Sequence, residues 1–168
     1  SSSAASDVYK RQILSLLQIS KQQFSFAPTF FGIFVVISNL LSSRFLIPKI
    51  GTTNCLITSR LIISFIPFSV FYFENYFFLL LSFSLLGVGM GIQAPSALIQ
   101  VTIIEKKTNK ILMPIFKTSW AIGAMIAAII SSISLWLNID ALNHFFILGI
   151  IAILAIIFIK IYGLKKNY

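Results

Sequence analysis

The sequence predicts an all-α membrane protein, a polytopic bundle of about five transmembrane helices. Three observations support this prediction: 58% of the residues are hydrophobic, only 10% are charged, and the apolar residues form long uninterrupted runs. A soluble domain carries about 25% charged residues, which keep its surface hydrated. Membrane β-strands are not expected, because these runs do not alternate and they exceed the roughly 9–11 residues of a barrel strand.

The first twelve residues, SSSAASDVYKRQ, are polar and differ from everything that follows. Residues 7–12 (DVYKRQ) also match the translation of a transposon end used in sequencing-library preparation. We therefore interpret residues 1–12 as a sequencing-adapter artefact and exclude them from the fold. The alternative is a native leader, but a signal peptide needs an apolar centre and this segment has none. On the artefact interpretation, the natural protein begins earlier and this chain is a fragment.

The remaining chain divides into apolar runs separated by short polar connections. Residues 13–23 (ILSLLQISKQQ) are too few to cross a bilayer, which takes about 20 residues, so they are interpreted as the end of a truncated helix and a turn. Pro48 and Gly51 are predicted to break the chain after the first span, and Glu74 with Asn75 to form the next turn. The predicted spans are 24–45, 53–73, 76–101, 111–137 and 144–159.

Small residues recur in the third and fourth spans at helical spacing. In lipid, helices associate where small side chains let their backbones approach, so this spacing predicts packing surfaces. The GVGMG run does not indicate a phosphate loop, which needs a preceding strand. The predicted packing residues are Gly87, Gly89, Gly91, Ser119, Gly123 and Ala127.

The charged residues predict the orientation, because short loops rich in Lys and Arg remain in the cytoplasm. One side of the predicted bundle carries Arg44, Lys49, Lys106, Lys107, Lys110, Lys160, Lys165 and Lys166, whereas the other carries Lys21, Glu74 and Asp140. We therefore expect a cytoplasmic C-terminus and a location in the plasma (inner) membrane. The net charge of +9 would suggest nucleic acid in a soluble protein, but here the basic residues flank apolar runs, so no nucleic-acid partner is expected.

Polar residues inside the spans are the candidate functional residues. Gln93, Ser96 and Gln100 share one helical face of the third span with Gly89. Such side chains face a wet cavity or a bundle interior, so they either bind a solute or form interhelical hydrogen bonds. Lys117 lies about two turns into its span, where it either extends to the lipid headgroups or contacts a solute.

Arg60 is predicted to extend to the lipid headgroups or to bond Glu105.

Catalysis and metal binding are not expected. One cysteine, Cys55, and one histidine, His144, provide no metal cluster, and no paired acids or Ser/His/Asp set is present. No cofactor is therefore expected, and the protein is not expected to be an enzyme.

Residues 48–53 (PKIGTT) resemble the cytoplasmic loop motif of the major facilitator superfamily, G-x-x-x-D-(R/K)-x-G-(R/K)-(R/K). Lys49 and Gly51 match the motif, whereas Arg44 replaces its first glycine and Pro48 its acid. LGVGMG followed by the charged segment at 105–107 is similar to the family's fourth helix, and MPIFKTSWAIG to the fifth helix of the fucose-permease-like branch.

This resemblance implies a secondary transporter of small polar solutes, such as sugar-like ones, that works by alternating access. The chain would supply residues from the end of helix 1 through helix 6, and its partners would be the lipid bilayer, a small-molecule solute and a missing carboxy-terminal half. Arg44, Lys49 and Gly51 would form a gating loop. The substrate-site candidates are Gln93, Ser96, Gln100 and Lys117. The alternative function is a non-transporting membrane scaffold or assembly subunit.

Overall fold

The computed structural model describes residues 20–72, 75–137 and 141–162. These residues form helices and contain no β-strand, which confirms the predicted all-α fold. The elements are α1 (Lys21–Leu41), a π-helical segment (Ser42–Leu46), α2 (Ile47–Ile50), α3 (Thr52–Tyr72), α4 (Tyr76–Thr108), α5 (Met113–Trp136) and α6 (Ala141–Tyr162). The predictions made for residues 1–19, Glu74, Asp140, Lys165 and Lys166 lie outside the described residues.

Helix α1 begins at a reciprocal cap. The Gln23 amide donates to Ser20 Oγ at 3.1 Å, and the Ser20 amide donates to Gln23 Oε1 at 2.8 Å. This capping box satisfies amide groups that the first turn of a helix would otherwise leave unpaired. The helix therefore begins at Lys21, three residues before the predicted start of the span, and Pro28 lies inside it.

The helical backbone runs past the predicted end of the first span. It continues through the π-helical segment and α2, and it ends at Gly51, which has a φ of 83°. The prediction that Pro48 breaks the chain is wrong. Pro48 directly follows the π-helical segment, where the hydrogen-bond pattern shifts by one residue, so a residue without an amide hydrogen is accommodated inside a continuous helix.

Helix α4 extends seven residues beyond the predicted span, which ended at residue 101. Its last turns are polar and include Glu105, Lys106 and Lys107. The apolar content of a sequence marks the part of a helix that lies in lipid, not the point at which the helix ends. Helix α4 ends at Asn109, whose φ of 50° lies in the left-handed region that terminates helices.

Helix α4 lies between α1 and α3, and α6 packs against α3. The Tyr76 hydroxyl donates to the Gln23 carbonyl at 3.0 Å, which brings the starts of α4 and α1 together. Gln100 Nε2 donates to Thr53 Oγ1 at 2.9 Å, which places the end of α4 beside the start of α3. The three helices therefore alternate in direction, as expected for consecutive spans.

Three stretches within the described residues are long and apolar enough to cross a membrane: Gln22–Ile50, Tyr76–Thr108 and Met113–Ser134. The first two pack against each other, whereas α5 is the least covered helix, with every side chain from residue 117 to residue 129 exposed. An exposed apolar helix is stable in lipid, because the hydrocarbon solvates its side chains.

Candidate functional site

Two glycines of α4 bring its backbone close to α1. A Cβ added at Gly91 would collide with Ser38 Oγ and would lie 2.5 Å from the Val35 carbonyl oxygen, and one added at Gly87 would collide with the Phe31 carbonyl oxygen. No residue other than glycine fits at these two positions without a shift of the helices.

Ser38 of α1 and Ser42 of the π-helical segment bond to the same two glycines. Ser38 Oγ donates to the Gly87 carbonyl at 3.3 Å, and Ser42 Oγ donates to the Gly91 carbonyl at 3.2 Å. Both serines also bond within their own helix, so each hydroxyl is shared between the two helices. Sequence inspection missed these serines, although their four-residue spacing matches that of the glycines.

Gly89 faces the other neighbour, α3. A Cβ at this position would lie 2.7 Å from Ile63 Cγ1 and 3.3 Å from the Ser59 carbonyl oxygen. The three glycines of α4 thus divide between two helices, which explains how one helix packs closely on both sides.

The polar face predicted on α4 points toward α3. Gln100 Nε2 donates to Thr52 Oγ1 and Thr53 Oγ1 at 3.2 Å and 2.9 Å. Ser96 is fully buried, and its hydroxyl donates to the Ile92 carbonyl of its own helix at 2.7 Å. The Gln100 bonds are the interhelical contacts of the non-binding alternative, whereas the Ser96 bond stays within its own helix.

Gln93 differs from the other two residues of this face. It is only 7% exposed, and its Oε1 atom is buried without a hydrogen-bond partner in the described part of the chain. Because a buried acceptor without a donor is costly, such an atom calls for an explanation.

A buried donor lies on the facing helix. Arg60 Nε is also buried without a partner among the described residues. Gly89 packs most closely on Ile63, and Gln100 bonds to Thr52, in an antiparallel pair of helices. Counted through these two contacts, Gln93 and Arg60 lie at similar depths on facing helices.

Glu105 links α4 to α5. Its Oε1 accepts hydrogen bonds from the Leu112 and Met113 amides, both at 2.6 Å. A carboxylate at the start of a helix satisfies free amides and interacts favourably with the helix dipole. The predicted bond from Arg60 to Glu105 does not occur among the described contacts, where the carboxylate instead caps α5.

Lys117 is exposed and lies between two concavities. The first, of about 680 Å³, is lined by Glu105, Lys106, Asn109, Lys110, Ile111, Met113, Pro114 and Lys117. The second, of about 320 Å³, is an apolar groove between α4 and α5 lined by Ala94, Leu98, Phe116, Lys117 and Trp120. Neither lining includes Gln93, Ser96 or Gln100.

The residues predicted for the gating loop lie in the helical segments that continue α1 and at the break before α3. Arg44 is in the π-helical segment, with its guanidinium carbon 5.5 Å from the centre of the Phe45 ring. Lys49 is in α2, and Gly51 forms the break before α3. Their role in gating stays a prediction.

The three packing residues predicted on α5 lie on its exposed surface in the part of the chain described here. Ser119 and Ala127 are exposed, and a Cβ added at Gly123 would meet no atom within 4 Å. The packing role of these three residues stays a prediction. Among the described residues, no group of three His, Cys, Asp or Glu side chains could hold a metal ion.

A family model described as the Major Facilitator Superfamily matches residues 6–166. Neither a curated protein nor a solved structure matches the chain significantly.

Proposed function

Because this chain belongs to the Major Facilitator Superfamily, we propose that it forms part of a secondary transporter that moves a small polar solute by alternating access. Members of this family are integral membrane proteins that carry small solutes rather than enzymes. Residues 13–168 would supply most of the first helical bundle, and a second bundle would come from a carboxy-terminal half. The basic helix ends support a cytoplasmic C-terminus in the plasma membrane.

The unpartnered Gln93 Oε1 is the observation that supports a solute site in this bundle. An amide oxygen accepts hydrogen bonds, so its natural ligand is a hydroxyl or amine hydrogen. In alternating access one bundle rocks against the other around a site between them, and this motion would give a solute access to the Gln93 side chain. A sugar-like solute with several hydroxyl groups fits this requirement.

Arg60 supports the same conclusion from the facing helix. Its unpartnered Nε is a donor, and a solute hydroxyl group can accept as well as donate a hydrogen bond. An Arg side chain at membrane depth is costly unless it meets a partner or water. Gln93 and Arg60 are therefore the ligands proposed here, whereas Gln100 serves the contact between α3 and α4.

Uptake of radiolabelled hexoses and polyols by cells that express the full-length product of the gene tests this proposal. Gln93→Leu should weaken solute binding about fivefold, which corresponds to one lost hydrogen bond of about 1 kcal/mol. It should not lower the unfolding temperature, because it replaces an unpaired buried acceptor with an apolar side chain of similar size.

Gln100→Leu is the matched control. It removes the hydrogen bonds to Thr52 and Thr53, so it should lower the unfolding temperature and leave solute affinity unchanged. Unchanged affinity in Gln93→Leu would rule out the proposed ligand. A stable protein that transports none of these solutes would favour the scaffold alternative.

A further inference from the structure

The connection between α4 and α5 carries a basic concavity that the proposed solute site does not use. Lys106, Lys110 and Lys117 line this 680 Å³ space. All three side chains are exposed, and none has an ion pair in the described part of the chain. Glu105 is the acid in the same lining, but its carboxylate is held by the Leu112 and Met113 amides at 2.6 Å. Three cations therefore remain available to an anion.

An apolar groove continues from this concavity. Leu98 of α4 forms one wall, and Phe116 and Trp120 of α5 form the other, with their rings edge to face at 6.1 Å. Lys117 lines both spaces, so its side chain marks the point where the basic concavity meets the groove. A ligand that fills both spaces has an anionic end and an apolar tail.

We propose that the α4–α5 connection binds an anionic phospholipid, with its phosphate at Lys106, Lys110 and Lys117 and an acyl chain in the groove beside Leu98. Anionic lipids are held by basic pockets between transmembrane helices. The shape and charge of the site agree, because the lysines lie at the helix ends and the apolar wall extends into the span. This proposal depends on the membrane location of the chain and not on the proposed solute site.

Charge decides between a lipid and another helix as the occupant. A transmembrane helix packed into the groove would cover Leu98 and Trp120, but an apolar helix offers no negative charge to the three exposed lysines, which a lipid phosphate complements. A phospholipid satisfies both parts of the site. The role predicted for Lys117 then becomes specific, since its ammonium group reaches a lipid phosphate rather than the solute.

Native mass spectrometry of the full-length gene product in mixed micelles tests the proposal. The probes are phosphatidylglycerol, which is anionic, and phosphatidylethanolamine, which is zwitterionic, added in equal amounts. The wild-type protein should retain phosphatidylglycerol preferentially. Lys117→Gln should weaken its retention about fivefold, which converts to about 1 kcal/mol for one basic residue near an anionic lipid. Lys160→Gln removes the same charge at the end of α6, outside this lining, and should change nothing.

The groove is tested separately from the charge. Leu98→Trp should fill it and displace the lipid, whereas Leu85→Trp should not. Leu85 and Leu98 are equally exposed residues of α4, at 41% and 40%, and Leu85 does not line the groove. An unchanged unfolding temperature in both variants shows that the fold is kept, and Lys117→Gln tests the site without adding volume.

Four results would overturn the proposal. One is equal retention of the two lipids, and another is loss of phosphatidylglycerol in Lys160→Gln as large as that in Lys117→Gln. The third is displacement of the lipid by millimolar glycerol 1-phosphate, which would indicate a site for free phosphate esters. A photoreactive residue at position 98 that crosslinks to protein and not to lipid would show that a helix fills the groove.

Discussion

Gly91→Ala should separate α1 from α4, and its cost follows from the contacts at this position. The added Cβ would collide with Ser38 Oγ and would lie 2.5 Å from the Val35 carbonyl oxygen and 3.0 Å from the Asn39 amide nitrogen. The last two atoms belong to the backbone of α1, so a side-chain rotation cannot relieve the contact and the helices have to move apart.

The expected loss in the free energy of unfolding has two parts. Overpacking by one methyl group costs about 1–3 kcal/mol. Separation also lengthens the serine hydrogen bonds to the Gly87 and Gly91 carbonyls, which are worth about 0.6 kcal/mol each in a membrane protein. The expected loss is therefore about 2–4 kcal/mol in the free energy of unfolding.

Equilibrium unfolding in mixed micelles, followed by circular dichroism, measures this loss. Gly32→Ala is the matched control on α1, since a Cβ there would meet no atom within 4 Å and alanine favours a helix by up to about 1 kcal/mol. The double variant Ser38→Ala/Gly91→Ala should lose less than the sum of its single variants, because one of the collisions disappears. If Gly91→Ala is no less stable than Gly32→Ala, the close approach of α1 and α4 is wrong.

Two further predictions concern the ends of the helices. With Cys55 replaced, a cysteine at Asn75 should react with an impermeant thiol reagent added to intact cells, and one at Lys107 only after permeabilisation; the opposite pattern would reverse the predicted orientation. Glu105→Ala should lower the free energy of unfolding by about 1–3 kcal/mol, because the Leu112 and Met113 amides lose their acceptor. Glu105→Gln should recover part of this loss, since its amide oxygen can still accept. Equal stability of the wild type and both variants would show that this cap contributes nothing.

The all-helical membrane fold could be predicted from the sequence, whereas several helix ends could not. Apolar runs give the spans because lipid solvates only apolar side chains. The sequence predicts a break at Pro48 and a span that ends at residue 101, but the helix continues through the proline after a π-helical segment, and charged residues beyond residue 101 extend α4. Helix ends depend on backbone conformation, as at Gly51 and Asn109, and hydropathy does not report it.

Composition and charge by themselves determined that this protein is a helical membrane bundle, because these properties are sums over many residues. The tertiary structure decided which neighbour each residue of α4 contacts. Gly91 faces α1 and Gly89 faces α3, although both belong to one glycine-rich run. Gln100 and Gln93 lie on one face, yet the first is bonded to Thr53 and the second has no partner among the described residues. The spacing of residues along a helix gives the side of the helix on which a side chain lies. Whether that side chain meets a hydrogen-bond donor depends on the register of the neighbouring helix.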